Sequence, residues 1–167
     1  MVWCDAAPFF YKMDVLDWIS KAKTFSSNEF LNDFSYVIIN NENIVDLQRL
    51  QWDEGSDYKG RVIGFYKKST EELSGGRKIA GEPYDLKNTG DFWEKTFIVA
   101  IIKGNDIEFL YDSSGINKKK LFETIQKHGE INNPEDIFGL FEPFKNKMIE
   151  FLEPIFINQL EKYYSND

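Results

Sequence analysis

The sequence of 167 residues is poor in the side chains from which many reactive sites are built. It has one cysteine, Cys4, which excludes a disulfide framework and a zinc site of several cysteines within one chain. It has one histidine, His128, so a metal site with several histidines is excluded as well. No apolar run approaches the roughly 20 residues of a membrane span, and residues 1–5 lack the basic start of a signal peptide. Positive charge is also scarce, with 20 Lys and Arg against 28 Asp and Glu.

The charge and the composition indicate what kind of protein remains. The formal charge is −8 and the isoelectric point is about 4.8, so the surface as a whole should repel nucleic acid. Hydrophobic residues make up 42% of the chain, with 15 Phe, 8 Tyr and 4 Trp, which is too apolar for intrinsic disorder. We therefore expect a soluble, intracellular, acidic globular protein that forms one domain over residues 1–167, with no membrane association.

Apolar residues that recur every three or four positions predict helices towards both ends of the chain. The spacing over residues 28–52 favours one long helix, although Asn40 and Asn41 could break it into two. The other predicted helices are residues 14–24, 117–128 and 143–163.

The β signals lie between these helices. Residues 61–66 form a short apolar run that contains Gly64, and residues 96–112 predict a hairpin with its turn at Gly104 and Asn105. The first run of the hairpin is apolar on both faces, which predicts a central strand covered by the long helix. The fold class is therefore α+β, with a long N-terminal helix and a C-terminal helix packed on a small, mainly antiparallel sheet.

Residues 67–93 show little periodicity of either kind and are predicted to form an extended loop. Loops of this length inside compact domains are uncommon, and they usually serve a function or are disordered. Two interpretations stay open: a simple surface excursion, or a loop that a partner chain orders. No linker or internal repeat divides the chain.

No pattern of catalytic residues rises above the background expected for this composition. His128 lies at a predicted helix end, where the helix dipole favours a charged histidine, and Cys4 has no histidine nearby in sequence. The run Gly75-Gly76-Arg77-Lys78 is glycine-rich and basic, but it lacks the Walker order and no strand precedes it. We expect no catalytic residue, no cofactor and no metal site.

Short basic clusters interrupt the acidic sequence at residues 67–68, 77–78 and 118–120. A solvated face is the simplest interpretation of each. The two clusters within the loop could also contact an acidic neighbour or a phosphate, and salt-dependent binding would test this.

The order of several motifs resembles that of a known group of proteins. The helix end at residues 44–51 is followed by Ile-Gly-Phe-Tyr at 63–66, a Gly-Arg-Lys-Ile-Ala-Gly run at 76–81, and Leu-Lys-Asn-Thr-Gly-Asp-Phe at 86–92. A hairpin and Ile-Phe-Gly-Leu at 137–140 then precede the last helix. This order resembles the neck proteins of tailed bacteriophages, in the tail-completion, minor tail component or head–tail connector group, including those of crAss-like phages. The likeness covers about residues 30–163 and is most specific at 86–92.

The resemblance implies a non-enzymatic virion protein that forms a hexameric or dodecameric ring in the neck, after assembly in the host cytoplasm. The ring would contact portal or adaptor proteins and tail proteins. DNA would pass through its lumen without sequence-specific binding, and an acidic lumen would repel the phosphates. Residues 1–12 have no counterpart in the group and are expected to form an arm on a neighbour or a cover over the core.

The aromatic content of 16% exceeds what one small core comfortably hides, so some aromatic residues are expected at interfaces. For Phe92 and Trp93, burial in the core is an equal alternative. Two other functions also stay open: a small acidic binding or inhibitor module that acts on a host or phage target, and an enzyme whose site would consist of Asp, Glu, Ser and Tyr alone. The candidate interface residues, at the loop and at the chain end, are Tyr66, Arg77, Lys78, Tyr84, Phe92, Trp93, Tyr163 and Tyr164.

Overall fold

A computed structural model describes residues 27–87, 90–104 and 106–165. The predicted helix at 14–24 and the predicted arm at 1–12 lie outside the described residues. The described chain has the expected α+β class. Its elements in chain order are α1 Ser27–Ile39, α2 Glu42–Asp53, α3 Lys68–Ser74, α4 Asp91–Glu94, β1 Thr96–Lys103, β2 Asp106–Ser113, α5 Lys118–His128, a 3₁₀ turn Pro134–Ile137 and α6 Glu142–Ser165.

The predicted single helix over residues 28–52 is two helices, α1 and α2, so the break at Asn40 and Asn41 is the alternative that holds. Asn41 has an extended backbone, and its side-chain oxygen accepts a hydrogen bond from the backbone N–H of Asn43. The side chain of Asn40 donates to the carbonyl of Tyr36 at 2.7 Å. Both asparagines thus satisfy backbone groups that a helix end exposes, which stabilises the break.

The predicted hairpin is confirmed, with β1 and β2 paired antiparallel over their full lengths. Gly104 has φ +64°, as a tight turn requires. The prediction that β1 is a central, covered strand is wrong, because within the part of the chain that the structure describes β1 pairs only with β2, and one face of this pair is exposed. Helix α1 packs against β1 on the other face.

The predicted helices at 117–128 and 143–163 are confirmed as α5 and α6. Helix α6 contacts both α1 and α2, and α5 packs on the 3₁₀ turn. Among the described helices, none is both long enough and apolar enough to cross a membrane.

The buried side chains form two clusters. The first cluster joins α1, α2, the inner face of the hairpin and the start of α6, and it includes Phe30, Ile38, Ile98 and Phe144. The second cluster centres on Trp52, which is completely buried and contacts the rings of Phe92, Trp93 and Phe138. Its other buried members are Ile63, Leu86, Ile125, Ile131 and Ile137.

The run at residues 61–66 does not form the predicted strand. It makes two isolated bridges, Ser56 with Val62 and Phe65 with Pro83. Gly64 explains the irregular path, because a Cβ there would lie 2.5 Å from the ring of Tyr84. The backbone therefore passes directly under an aromatic ring, which only glycine permits.

Two buried glutamines of α2 fix the segment 137–141. The Gln48 amide donates to the carbonyl of Ile137 at 3.1 Å and accepts from the N–H of Gly139 at 2.8 Å. The Gln51 amide donates to the carbonyl of Gly139 and accepts from the N–H of Phe141, both at 2.9 Å. Each amide therefore replaces a backbone partner, and the segment is held to α2 as if it were paired with a strand.

Candidate functional site

The predicted loop at residues 67–93 is ordered by contacts within the chain and contains two short helices, α3 and α4. The chain leaves and returns at Tyr66, whose N–H donates to the carbonyl of Glu82 and whose carbonyl accepts from the N–H of Gly81, both at 2.9 Å. The N–H of Tyr84 then donates to the carbonyl of Gly64. The predicted long loop is therefore ordered, because it closes on itself and satisfies backbone groups at its base.

Asp85 fixes the base of this excursion. Its carboxylate accepts hydrogen bonds from the Tyr66 hydroxyl at 2.7 Å, the Lys78 ammonium at 2.5 Å and the Lys87 N–H at 2.8 Å. Burial alone would raise the pKa of Asp85, but the hydrogen bonds from Lys78 and Tyr66 outweigh it and hold this pKa below its usual value. Burial and the bond to Asp85 raise the pKa of Tyr66, so this hydroxyl stays a donor at neutral pH.

A cleft of about 490 Å³ lies between this excursion and α5. Apolar side chains form much of its lining, and hydroxyl, amide and cationic groups make up the rest. The volume is within the range of about 300–1,000 Å³ that is typical of ligand sites. The lining residues are Tyr66, Thr70, Leu73, Ser74, Arg77, Lys78, Tyr84, Leu86, Lys87, Phe92, Asn117, Lys120, Leu121, Thr124 and Ile125.

The cleft is lined by four cations and by no carboxylate. Lys78 pairs with Asp85, which lies just outside the lining, and Lys87 pairs with Asp53 at 2.8 Å. Arg77 and Lys120 are exposed, and within the described residues neither forms an ion pair. The residual positive charge of the cleft therefore belongs to Arg77 and Lys120.

Two described residues of the segment that carries the most specific part of the resemblance, Leu86 and Phe92, are buried. Leu86 is buried with φ +56°, a left-handed conformation that is uncommon for a residue with a side chain. The carbonyl of Phe92 accepts hydrogen bonds from the hydroxyls of Thr96 at 2.9 Å and Ser113 at 2.8 Å. A Cβ on Gly115 would lie 2.9 Å from the Cα of Phe92. Phe92 thus joins the base of the hairpin to the second cluster, which is a structural role.

The structure brings four of the sequence-predicted interface residues to the surface of the cleft: Tyr66, Arg77, Lys78 and Tyr84. Phe92 lies at the cleft floor but is only 4% exposed, so of its two alternatives the core is correct. The hydrophobic contact with Trp52 accounts for this burial.

Trp93 is half-buried; its indole N–H donates to the carbonyl of Asp85, and the Lys87 ammonium lies 4.0 Å from its ring centroid. Tyr163 and Tyr164 lie elsewhere, near the end of α6. The ring of Tyr163 packs edge-on against Phe30 of α1 at 6.2 Å. These two tyrosines therefore do not belong to the cleft.

Sequence reasoning did not identify the α5 side of the cleft. The three lysines at 118–120 resemble a solvated face, but they differ in surroundings. Lys118 bonds Asp112 and lies over the ring of Phe138, whereas Lys120 lines the cleft. The sequence did contain a signal for this side of the cleft, because four of its residues recur at the spacing of one helical face: Asn117, Lys120, Leu121 and Thr124.

No group of three or more His, Cys, Asp or Glu side chains within the described ranges could hold a metal ion. His128 is exposed, with its Nδ1 3.4 Å from the Lys67 ammonium. Partial desolvation and the charges of Lys67 and Lys127 lower the pKa of His128.

The chain matches no family model, no curated protein and no solved structure. What its surfaces do is therefore inferred from their own geometry and chemistry.

Proposed function

We propose that the protein is a non-enzymatic structural subunit of a phage virion, a head–tail connector or tail-completion protein that forms a ring around the DNA channel. The observation that carries this proposal is the hairpin of β1 and β2, which supports pairing with a second copy of the chain. Within the described residues, each of its strands pairs only with the other, so each has an outer edge available.

The outer face of the hairpin is apolar. It carries Phe97, Val99, Ile101 and Leu110, which are 37–43% exposed. The register places Val99 directly opposite Leu110, so these side chains form one patch on the same face. Strand edges beside an exposed apolar face favour addition of a further strand, and a two-stranded hairpin gains stability from it.

The charged side chains of the outer face are already paired within one copy, Lys103 with Glu108 and Asp112 with Lys118. They therefore do not oppose a contact in which β1 of one copy lies beside β2 of the next. Such a contact uses two different edges, so it is heterologous and generates a ring when the rotation closes.

The size of the purified full-length protein tests this proposal. Native mass spectrometry and negative-stain microscopy should show closed rings of six or twelve copies that dissociate on dilution. Val99→Lys places a charge in the centre of the patch and should give monomers, because it removes apolar contact and would bury a charged group between copies. Ile149→Lys is the matched control on α6, since Ile149 is also exposed, and it should retain the rings.

The particle itself provides the second test. In purified virions of a phage that encodes this chain, quantitative mass spectrometry should count one ring's worth of copies beside the portal protein. A protein that is monomeric at every concentration and absent from particles contradicts the connector. The small acidic binding or inhibitor module would then replace it.

A further inference from the structure

The two segments that border the cleft, residues 67–87 and α5 with its neighbour Asn117, are basic, whereas the rest of the sequence is acidic. Residues 67–87 and 117–128 hold nine of the chain's 20 Lys and Arg residues but only five of its 28 Asp and Glu residues. These two segments therefore carry four surplus positive charges on a chain of net charge −8. The folding of the chain brings the two segments together around the cleft, which concentrates this charge.

From this geometry we infer that the cleft binds an acidic peptide segment of a partner protein, in which carboxylates flank an apolar side chain. The two cations without an ion pair among the described residues, Arg77 and Lys120, would take the carboxylates. Arginine suits this role because its guanidinium can donate two parallel hydrogen bonds to one carboxylate. The Nε of Arg77 already donates to the carbonyl of Ser74, which positions the head group.

The apolar part of the cleft supplies the other half of the recognition. Leu121, Ile125 and Leu86 contribute apolar lining. The rings of Tyr66 and Tyr84 also line the cleft, and their centroids are 4.9 Å apart. Leu73 on α3 also lines the cleft and is 89% exposed, so it has apolar surface that a ligand could cover. A buried apolar anchor with charged groups around it is the usual arrangement in peptide recognition.

The same features favour a peptide over nucleic acid. Asp85 and Asp53 already balance Lys78 and Lys87, so the cleft offers about two net charges rather than a track of phosphate contacts. The overall charge of −8 opposes the approach of a long polyanion, whereas a short segment with two or three carboxylates meets mainly the local field. The inference does not rest on the ring, because a monomer would present the same cleft.

Selection from a randomised peptide library displayed against the full-length protein tests the inference. The expected result is enrichment of sequences in which Asp or Glu flanks Phe, Leu, Ile or Trp. Binding of a labelled peptide of the enriched sequence is then measured by fluorescence anisotropy, with a version that carries Asn and Gln in place of Asp and Glu as the ligand control. Loss of the carboxylates should weaken binding about tenfold or more.

Two double variants locate the binding. Arg77→Ala with Lys120→Ala removes the two cleft cations and should weaken binding of the acidic peptide at least about tenfold. Lys68→Ala with Lys119→Ala is the matched control, because it makes the same charge change on the two neighbouring helices outside the cleft. All four side chains are exposed, so circular dichroism should show both variants folded. Leu73→Ala should weaken binding without changing its salt dependence.

Three results would overturn the inference: no enrichment, enriched sequences without carboxylates, or equal binding to the two double variants. A single-stranded oligothymidine probe separates the competing ligand class. If the oligonucleotide binds through Arg77 and Lys120 and the selected peptide does not, the cleft is a phosphate site and the inference is wrong. The outcome is independent of the oligomeric state, so failure here leaves the connector proposal to its own test.

Discussion

The two clusters of buried side chains are built by different means. The first cluster consists of regular elements, and its members follow helical or strand spacing, as Phe30, Phe34 and Ile38 do on α1. The second cluster surrounds Trp52 and takes Ile63, Leu86, Ile131 and Ile137 from irregular segments and the 3₁₀ turn. Hydrogen bonds from buried polar side chains position those segments, including Gln48 and Gln51 of α2. Apolar periodicity therefore suffices for one core, and the other depends on polar groups placed one by one.

The largest expected effect comes from removing the centre of the second cluster. Trp52→Ala should lower the free energy of unfolding by about 4 kcal/mol, because it empties a fully buried site and removes the indole donor to the carbonyl of Ile137. Urea unfolding followed by far-ultraviolet circular dichroism measures this.

Trp52→Phe separates packing from hydrogen bonding at the same site. The carbonyl of Ile137 keeps its bond from Gln48, so this variant should lose much less stability than Trp52→Ala. Phe144→Ala, in the first cluster, is the apolar counterpart, with a cost of about 3–5 kcal/mol and no lost side-chain hydrogen bond. If Trp52→Phe and Trp52→Ala lower the free energy of unfolding equally, the hydrogen bond of the indole, and not its packing, is the main contribution of Trp52 to stability.

Gln51→Leu tests the polar construction of the second region. The apolar side chain leaves the N–H of Phe141 and the carbonyl of Gly139 without the amide, so we expect a loss of about 3 kcal/mol. Leu50→Gln is the control one residue away, at a half-exposed position, and it should change stability by less than about 0.5 kcal/mol. Both are measured by urea unfolding. If Gln51→Leu leaves the free energy of unfolding unchanged, packing alone fixes the segment at 137–141.

Asp57→Asn tests how much the ion pair between Arg61 and the buried Asp57 contributes to stability. Asp57 is fully buried and accepts hydrogen bonds from the N–H groups of Lys59 and Arg61 and from the Arg61 guanidinium. The amide can accept fewer of these bonds, so the loss should be about 2 kcal/mol, moderated because Arg61 is 43% exposed. Asp53→Asn removes an exposed pair with Lys87 and should cost about 0.5 kcal/mol or less in the same assay.

The smallest effect concerns pH. Burial alone would raise the pKa of Asp136, but hydrogen bonds from Arg61 and Lys59 outweigh it and lower this pKa below its usual value. Because the folded protein holds the carboxylate charged more strongly than the unfolded chain, the stabilisation is complete above about pH 4 and is lost as pH falls through the lowered pKa.

The difference in unfolding free energy between the protein and Asp136→Asn should therefore be of the order of 1 kcal/mol or less at pH 7 and should shrink towards pH 3. Urea midpoints at several pH values measure it. A difference that does not depend on pH would contradict the assigned role of the charge.

The sequence predicts the first region well and the second region poorly. Spacing of apolar residues indicated α6 and the hairpin, because their periodicities are long and regular. In the irregular segments, single residues such as Ile63 and Leu86 are buried in the core. Their burial cannot be predicted from apolar periodicity, because these segments have no regular spacing. The predicted helix over residues 28–52 is two helices because Asn41 caps the second one. This capping signal is local, and in the sequence it competes with apolar spacing that continues through Asn41.

The cleft was predictable only on one side. Arg77, Lys78, Tyr66 and Tyr84 were identified as interface candidates because they lie in an unusual segment. Lys120 lies more than thirty positions away in sequence, and its place opposite Arg77 depends on how α5 packs. Pairing of distant segments is a property of the tertiary fold, so charge patterns along the sequence cannot supply it.

The glutamine contacts of α2 also set an order of events during synthesis. Gln48 and Gln51 bind backbone groups that lie 88–91 positions further along the chain. A chain made from its N-terminus therefore completes both strands of the hairpin well before the partners of these amides exist. Contacts between near neighbours form quickly and distant ones slowly, so the segment at 137–141 docks on α2 after the hairpin has formed. The strand edges of the hairpin are thus formed while the protein is still incomplete, and in the proposed ring the first opportunity for pairing with a neighbouring copy comes before folding ends.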